Sequence, residues 1–426
     1  EQADLVSEGR FSINRVTPLP METRVIVATW SAARRELEVR ASTQVPQLFR
    51  RQLSEILGIE ESGIRVVADD VGGAFGQKLG VYPEDVLACL HSMLTGRPVK
   101  WVEDRVEHFR AATHGREAVH HFRIAADSKG RMLAMTDEYA TDLGAYNSPF
   151  GSAQLSSIVF PGPYRVKEGA VRRSVVLTNK APTGAYRGYG QPEVNFAREQ
   201  LVDRLARRLG IDPLDLRLEN MIPPEELPWT NPVGAVYDSG DYRRCLQAAA
   251  DAIDYRALRE EGRGPLPDGR LRGLGLSAFV ERTGYAGSRF LQRRGSRYGA
   301  HESVVIRANR SGGLEIYTGL STFGQSMETT LAQVCAEVHG ADLDRIRVIP
   351  GDTKAAPINT GAFASRAMIA LRKPAPSNAG CHASTPFFTQ GTSHSGVAGS
   401  IQNTIGFTGS ETSADGSFFS SRNRWM

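Results

Sequence analysis

Gly184-Ala185-Tyr186-Arg187-Gly188-Tyr189-Gly190-Gln191-Pro192 is the stretch around which the chain is organised. Before it, Val171 to Thr178 is rich in β-branched residues and reads as a strand. After it, Val194, Ala197, Leu201, Leu205 and Leu209 recur at helical spacing. Pro192 and Glu193 suit the first helical turn, and Gly210 is placed to end the helix. The pattern predicts a strand, a glycine-rich turn and a helix N-terminus. Such a turn gathers backbone N–H groups beside the positive end of a helix dipole. Arg187 adds a fork of five donors. Two uses remain open on these residues: a structural turn with a surface arginine, or an anion or cofactor site.

Two further segments have the same form. Ile64 to Ala68 reads as a strand, Gly72 to Lys78 (GGAFGQK) as a loop, and Pro83 to Leu94 as a helix stopped by Gly96. Leu314 to Thr318, Gly319 to Ser326 and Met327 to His339 repeat the order, with Gly340 as the stop. None is a Walker A loop or a dinucleotide fingerprint, because the lysine–serine/threonine ending and the GxGxxG spacing are both missing.

Between these landmarks, residues 1–24 read as irregular. Val25 to Thr29, Leu37 to Ala41, Val99 to Val102, Thr136 to Asp142 and Leu274 to Val280 read as strands. Val45 to Leu57 and Tyr242 to Leu258 read as helices, and Ser303 to Arg307 with Leu314 to Thr318 as a hairpin. Glu103 to Phe122 reads as a solvated strand and loop, and 148–163 as a long loop. Residues 223–241 are rich in Pro, Gly and Asp and mark a domain boundary.

Composition narrows the class. The 426 residues exceed one ordinary domain, and 41% hydrophobic with 23% charged content is that of a soluble globular protein. The net charge of +4 is spread along the chain and gives no nucleic-acid stripe. No apolar run reaches membrane-spanning length. Cys89, Cys245, Cys335 and Cys381 form no CxxC and no metal spacing. In residues 371–426, 23 of 56 are Ser, Thr or Gly, and neither the strand nor the helix period survives. Such a stretch is a disordered tail or sequence out of its proper frame; a helical pattern starting at Ser365 and broken off after Leu371 favours the second.

Seven motifs in order then point to one family. They are PMETR (20–24), GGAFGQK (72–78), EDRVEHF (103–109), GAYRGYGQPE (184–193), LRLENMI (216–222), TGLSTFGQS (318–326) and GDT with NTGAFASR (351–366). The chain resembles the large, molybdopterin-binding subunit of the xanthine dehydrogenase, aldehyde oxidase and carbon monoxide dehydrogenase family. The resemblance covers about residues 11–370. It implies an α+β fold of two molybdopterin-binding domains, the first over 15–235 after an irregular 1–14, the second over 236–370 and incomplete, with 371–426 as the tail.

It also implies the chemistry: hydroxylation of a C–H bond of an aldehyde or aromatic N-heterocycle, with water as the oxygen source. The molybdenum is held by a pterin dithiolene, in a cofactor expected in dinucleotide form, so no protein metal ligand is expected. Gly73, Phe75, Gly76, Arg187, Gly324, Gln325, Ala364 and Ser365 would line the cofactor. Tyr189, Leu79 and Arg116 would face the substrate. Leu79 replaces the glutamate of purine-oxidising members, and Gly188 the copper-binding cysteine of carbon monoxide dehydrogenases, which argues against both substrates. The family's general base, a glutamate in a Gly-x-Gly-Glu segment, has no match here. Electrons would leave to iron–sulfur (2Fe-2S) and FAD partner subunits in a cytoplasmic dimer of heterotrimers, with periplasmic export as the other location. The resemblance also implies that the chain is an internal fragment with a non-native tail. The rival expectation is a catalytically inactive truncated remnant that binds only partner subunits or part of the cofactor.

Overall fold

The computed structural model describes residues 3–146, 153–262, 265–266, 268–284 and 303–367, with two three-residue strands at 386–388 and 406–408. The chain begins with β1 (Leu5–Val16), then β2 (Val25–Ser31), β3 (Glu36–Ala41), α1 (Pro46–Leu57), β4 (Ile64–Val67), α2 (Pro83–Thr95), β5 (Val99–Val102) and α3 (Arg105–Ala111). There follow β6 (Gly115–Ala126), β7 (Met132–Asp142), α4 (Ala153–Ile158), β8 (Glu168–Val176), α5 (Gln191–Leu209) and α6 (Pro213–Asn220). These elements build two four-stranded sheets, in the orders β1-β6-β7-β8 and β4-β3-β2-β5.

Period-2 alternation fills the second sheet's core. Ile26 and Ala28 of β2 and Leu37 and Val39 of β3 point inward against Phe49 and Leu53 of α1 and Ala88 and Cys89 of α2. The first sheet is crossed by α5, whose Val194, Ala197, Leu201 and Leu205 are fully buried against Phe122, Ile124 and Met135. Each fully buried leucine contributes roughly 2 kcal/mol of transfer free energy.

The later part adds β9 (Trp229–Thr230), β10 (Val236–Tyr237), α7 (Tyr242–Ala252), α8 (Tyr255–Glu260), β11 (Glu281–Thr283), β12 (Ser303–Ala308), β13 (Leu314–Thr318), α9 (Met327–His339) and β14 (Ile346–Pro350). The short strands β15 (Pro386–Phe388) and β16 (Gly406–Thr408) complete the list. A third sheet runs β14-β13-β12-β15, with Val304, Ile316, Leu331 and Cys335 in its core. Ala68, just past β4, donates its N–H to Gly351 O at 3.0 Å, and Thr353 N donates to Val66 O at 3.0 Å, so the second and third sheets are joined by main chain. Among the described residues, no helix is long and apolar enough to cross a membrane.

Five expectations are corrected. Residues 1–14 are not irregular: β1 pairs with β6 from Leu5 to Val16. Its inward row includes Ser7 and Gly9, which hides the apolar period. Glu103 to Phe122 is not a solvated loop, because α3 is closed by a capping box between Asp104 and Glu107, and His108 and His120 are fully buried. The 148–163 loop contains α4, while 147–152 lies outside the described residues. Tyr242 to Leu258 is two helices, broken at Asp254 in the left-handed region (φ 51°). Leu274 to Val280 forms no strand and pairs with none among the described residues. Residues 281–301, basic and glycine-rich, read as an excursion; of these 285–301, like most of 371–426, lie outside the described residues, and β15 and β16 pair with β12 and β11.

What holds Leu274 to Val280 is a buried charge hub. Glu199 of α5 accepts from Arg198 Nε (3.0 Å), Arg217 Nε (3.0 Å), Tyr164 OH (3.0 Å) and Ala278 N (2.9 Å). Arg217 also donates to Asp203 Oδ1 (2.8 Å) and Leu276 O (3.0 Å). A buried charge is tolerated only when paired and fully hydrogen-bonded. Arg217→Met therefore leaves Glu199 short of a partner and should cost about 3–5 kcal/mol in urea unfolding. The exposed Arg207→Ala on α5 should change stability by less than about 0.5 kcal/mol.

A second hub lies under the first glycine loop. Arg24 donates through Nε (2.9 Å) and Nη2 (2.5 Å) to Glu103 Oε1, and the guanidinium stacks 3.7 Å over the Tyr82 ring. His108 Nδ1 lies 2.9 Å from Glu103 Oε2. Burial alone would raise the Glu103 carboxyl, but hydrogen bonds from His108 and Arg24 outweigh it and bring it down to about 2. A lowered acid contributes stability that is complete above its unfolded value of 4.5 and is lost as pH falls through about 2. The stability difference between wild type and Glu103→Gln should therefore be constant above pH 5. It should shrink by on the order of 3 kcal/mol on titration to pH 2, as followed by denaturant midpoints.

Candidate functional site

The three strand–loop–helix segments converge. The 72–78 loop leaves β4, the 184–192 turn opens α5 and the 318–326 loop opens α9, while a fourth loop, 359–366, follows β14. Arg187 N donates to Phe75 O at 2.9 Å, and Val71 N to Thr322 O at 3.0 Å. At Gly76 the backbone passes so close to the central turn that a Cβ would stand 2.7 Å from Ala185 O. At Gly361 a Cβ would stand 2.8 Å from Val45 Cα.

Gln44, between β3 and α1, links these loops and was not singled out by the sequence. Its N–H donates to Lys78 O (2.9 Å), and its carbonyl accepts from Ala362 N (3.0 Å). Its Oε1 accepts from Gly76 N (3.0 Å), and its Nε2 donates to Ala362 O (3.0 Å). The residue is 3% exposed. The only local signal is a Thr-Gln pair at the end of a strand just before a proline-started helix.

Backbone strain marks the same place. Of the ten non-glycine residues with positive φ among the described residues, six are the sequence-predicted Phe75 (53°), Arg116 (68°), Tyr189 (50°), Gln325 (61°), Ala364 (57°) and Ser365 (52°). Such conformations are costly for side chains with a Cβ and gather where a backbone must present itself to something. Gly73, Gly76 and Gly324 also have positive φ.

Two motifs form the brace beneath. Glu22 Oε2 accepts from Gly72 N (2.8 Å) and from Lys78 Nζ (2.8 Å), whose side chain is fully buried. Burial pushes the Lys78 pKa down and Glu22 pulls the other way. Arg105 Nη2 donates to Pro20 O at 2.9 Å. PMETR and EDRVEHF thus hold the 72–78 loop from below.

The remaining candidates divide. Arg187 and Gln325 are exposed at the loops, while Tyr189 is 9% exposed. Leu79 is buried in a small apolar cluster with Val45, Leu48, Ala185 and Phe363. Arg116 is committed within the protein: its guanidinium donates to Glu193 Oε2 (3.2 Å), Tyr186 O (3.3 Å) and Arg187 O (2.5 Å), and lies 4.5 Å over the Tyr186 ring. Its geometry braces the central turn from behind.

Ser321 Oγ, both side-chain polar atoms of Asn359 and Gln77 Oε1 are buried and have no hydrogen-bond partner among the described residues. Buried polar atoms in native proteins are normally satisfied. Strained loops, backbone crossings and orphaned donors and acceptors together fit a polar, hydrogen-bonding group lodged among the four loops. Among the described residues no group of three or more His, Cys, Asp or Glu side chains is placed to hold a metal ion.

Comparison with known proteins agrees with this geometry. The molybdopterin cofactor-binding domain family matches residues 1–221, and a second domain of that description matches 248–372. The nicotine 6-hydroxylase large subunit of Paenarthrobacter nicotinovorans is 34% identical over 372 residues, 86% of this chain and 45% of that protein. The carbon monoxide dehydrogenase large chain of Hydrogenophaga pseudoflava is 36% identical over 360 residues, 83% of this chain and 45% of that one. The crystal structure of quinoline 2-oxidoreductase from Pseudomonas putida 86 superposes with a TM-score of 0.80 at 37% identity, covering 86% of this chain and 47% of that one. The chain spans about half the length of the curated relatives it matches. It belongs to the family of molybdopterin-binding large subunits that includes the carbon monoxide and xanthine dehydrogenases.

Proposed function

We propose that this chain forms the molybdopterin cradle of a molybdenum-dependent hydroxylase. The observation that carries the reading is the convergence of four glycine-containing loops, with six strained non-glycine residues and a set of unpartnered buried polar atoms. When bound, the molybdenum–pterin group would take two electrons from a substrate C–H bond while water supplies the oxygen. Gly73, Phe75, Gly76, Ala364 and Ser365 would meet it with backbone, Arg187 with its guanidinium fork, and Gly324 and Gln325 from the mouth of α9. Backbone donors fixed by strain lose nothing to reorganisation when charge develops opposite them.

The substrate proposed is an aromatic N-heterocycle or an aldehyde. Leu79 supports an apolar, flat ligand, since it packs with Val45, Leu48 and Phe363 where a purine reader would need a charge. Relatives named for nicotine and quinoline lie in the same direction. Tyr189 is the aromatic face proposed for stacking. Arg116 is proposed as a brace of the central turn, in place of the substrate-orienting role. The dinucleotide form of the cofactor and the iron–sulfur and FAD subunits belong to this proposal, as does the dimer of heterotrimers.

The test is molybdenum content by elemental analysis, for the chain alone and co-expressed with candidate small subunits. Near-stoichiometric metal supports the cradle; no metal under either condition supports the inactive remnant instead. Gln44→Ala should lower retained molybdenum roughly tenfold, the loss typical of residues that orient a metal site from outside its ligands. A Gln44→Ala protein that is folded by circular dichroism and fully loaded would overturn the role given to the loops.

A further inference from the structure

Arg116 braces the central turn from behind, and the residue after it is gripped by other partners. Arg116 (φ 68°) and Glu117 (φ 59°) are consecutive residues in the left-handed region inside β6. Each such conformation costs on the order of 1 kcal/mol and persists only where its surroundings hold it. The Arg116 end is held by the turn, through Glu193 Oε2 (3.2 Å), Tyr186 O (3.3 Å) and Arg187 O (2.5 Å).

The Glu117 end is held by a cluster of charges. Its Oε2 accepts from Arg15 Nε of β1, its Oε1 from Lys180 Nζ, and its main-chain O from Thr141 Oγ1 at 3.2 Å. The same two cations reach Asp142 at the end of β7. Lys180 Nζ lies 3.0 Å and Arg15 Nη2 3.5 Å from Asp142 Oδ2. Asp142 also accepts from Gly144 N (2.7 Å) and Thr178 Oγ1 (2.7 Å). The Arg15 and Glu117 side chains are only 15% and 24% exposed, so water and salt screen this pair less than a surface pair.

The cluster also fixes the chain that enters the central turn. Arg15 Nη1 donates to Ala181 O, and Thr183 Oγ1 donates to Asp142 O at 3.0 Å. Gly184 N, at the start of the turn, donates to His114 O at 2.7 Å, two residues before Arg116. Glu117 therefore bonds to both flanks of the turn: to its entry through Lys180, and to its back through the main chain it shares with Arg116.

We infer that Glu117 is a positioning residue of the candidate cofactor site: its carboxylate, clamped by Arg15 and Lys180, fixes the strained 116–117 main chain that aims the Arg116 guanidinium at the central turn. The inference rests on the cofactor reading above and adds Arg15, Glu117, Asp142 and Lys180, which lie in none of its motifs. The test is a double-mutant cycle of Glu117→Gln, Arg116→Gln and both together. It is read by molybdenum content after co-expression with the small subunits, and by thermal unfolding of the 426-residue chain.

Glu117→Gln should retain roughly tenfold less molybdenum than wild type, with partial rescue by Glu117→Asp. Glu117→Gly should lose molybdenum as well, although glycine takes up a positive φ at little cost and would serve a merely local turn. In the Arg116→Gln background, Glu117→Gln should remove little further molybdenum, because both act through one guanidinium. Losses that multiply independently, or a Glu117→Gln or Glu117→Gly protein loaded like wild type, would overturn the assignment. Should Glu117→Gln fail to fold, Glu117→Asp and Arg116→Lys complete the same cycle. A wild-type chain that takes up no molybdenum defeats the cofactor reading, while the melting temperatures of the cycle still decide whether Glu117 and Arg116 are coupled: a double loss smaller than the sum of the single losses supports the coupling, and an additive one refutes it.

Discussion

Backbone crossing backbone, with no room for a Cβ between, is the constraint on which this structure depends. It occurs where Gly76 passes Ala185 and where Gly361 passes Val45, and each crossing joins one loop of the site to another part of the chain. Side chains cannot substitute for such contacts, because any residue larger than glycine must separate the strands of main chain. The crossings bring polar main-chain groups together, and those groups need partners. Gln44 supplies four of them from a single buried residue. A position between a strand and a helix, unremarkable by itself, thereby becomes the link between loops separated by more than 280 positions of sequence.

The buried charges follow from the same geometry. Glu199 with Arg198 and Arg217, and Glu103 with Arg24 and His108, are costly to desolvate, and apolar replacements would often be as stable. Their partners explain their presence here. Glu199, Arg198 and Arg217 grip main-chain atoms of Leu276 and Ala278, which have no sheet neighbour among the described residues. Glu103 and Arg24 sit beneath the loop that Glu22 and Lys78 hold. Ionic side chains reach into irregular backbone where strands cannot form, and they fix its path with a directionality that apolar packing lacks.

Much of this was legible in residue order. Each strand–loop–helix unit announced itself by β-branched runs, glycines and a helical apolar stripe, and Gly96, Gly210 and Gly340 end their helices where expected. β1 was hidden because Ser7 and Gly9 interrupt its inward row; Gly9 lies where a Cβ would meet the Phe11 ring and Arg204 at 2.9 Å. Leu274 to Val280 has the apolar composition of a strand, but its hydrogen bonds go to side chains of α5 and to Arg217 of α6. Gln44 carries only the weak signal of a Thr-Gln pair before a proline-started helix. Its role exists only in the fold, since what it touches lies far away along the chain.

Arg116 shows how a motif match and a structure divide the work. A basic residue near a glycine turn reads as a ligand for whatever the turn binds. In the fold its guanidinium is spent on Glu193 and two main-chain carbonyls of the turn itself, and its own φ of 68° is part of the strain. Arg187, two residues before the Tyr189 ring, is held at the main chain by Arg116 and Phe75, and its side chain is left outward. One arginine fixes the turn so that the other can serve it. Six non-glycine residues in the left-handed region each cost on the order of 1 kcal/mol. Such strain persists only when neighbouring bonds over-determine it, as Gln44, Arg116 and Glu22 do here. A cradle whose backbone is already strained into place loses little further freedom when a ligand enters, and more of the gross contact energy then appears as affinity.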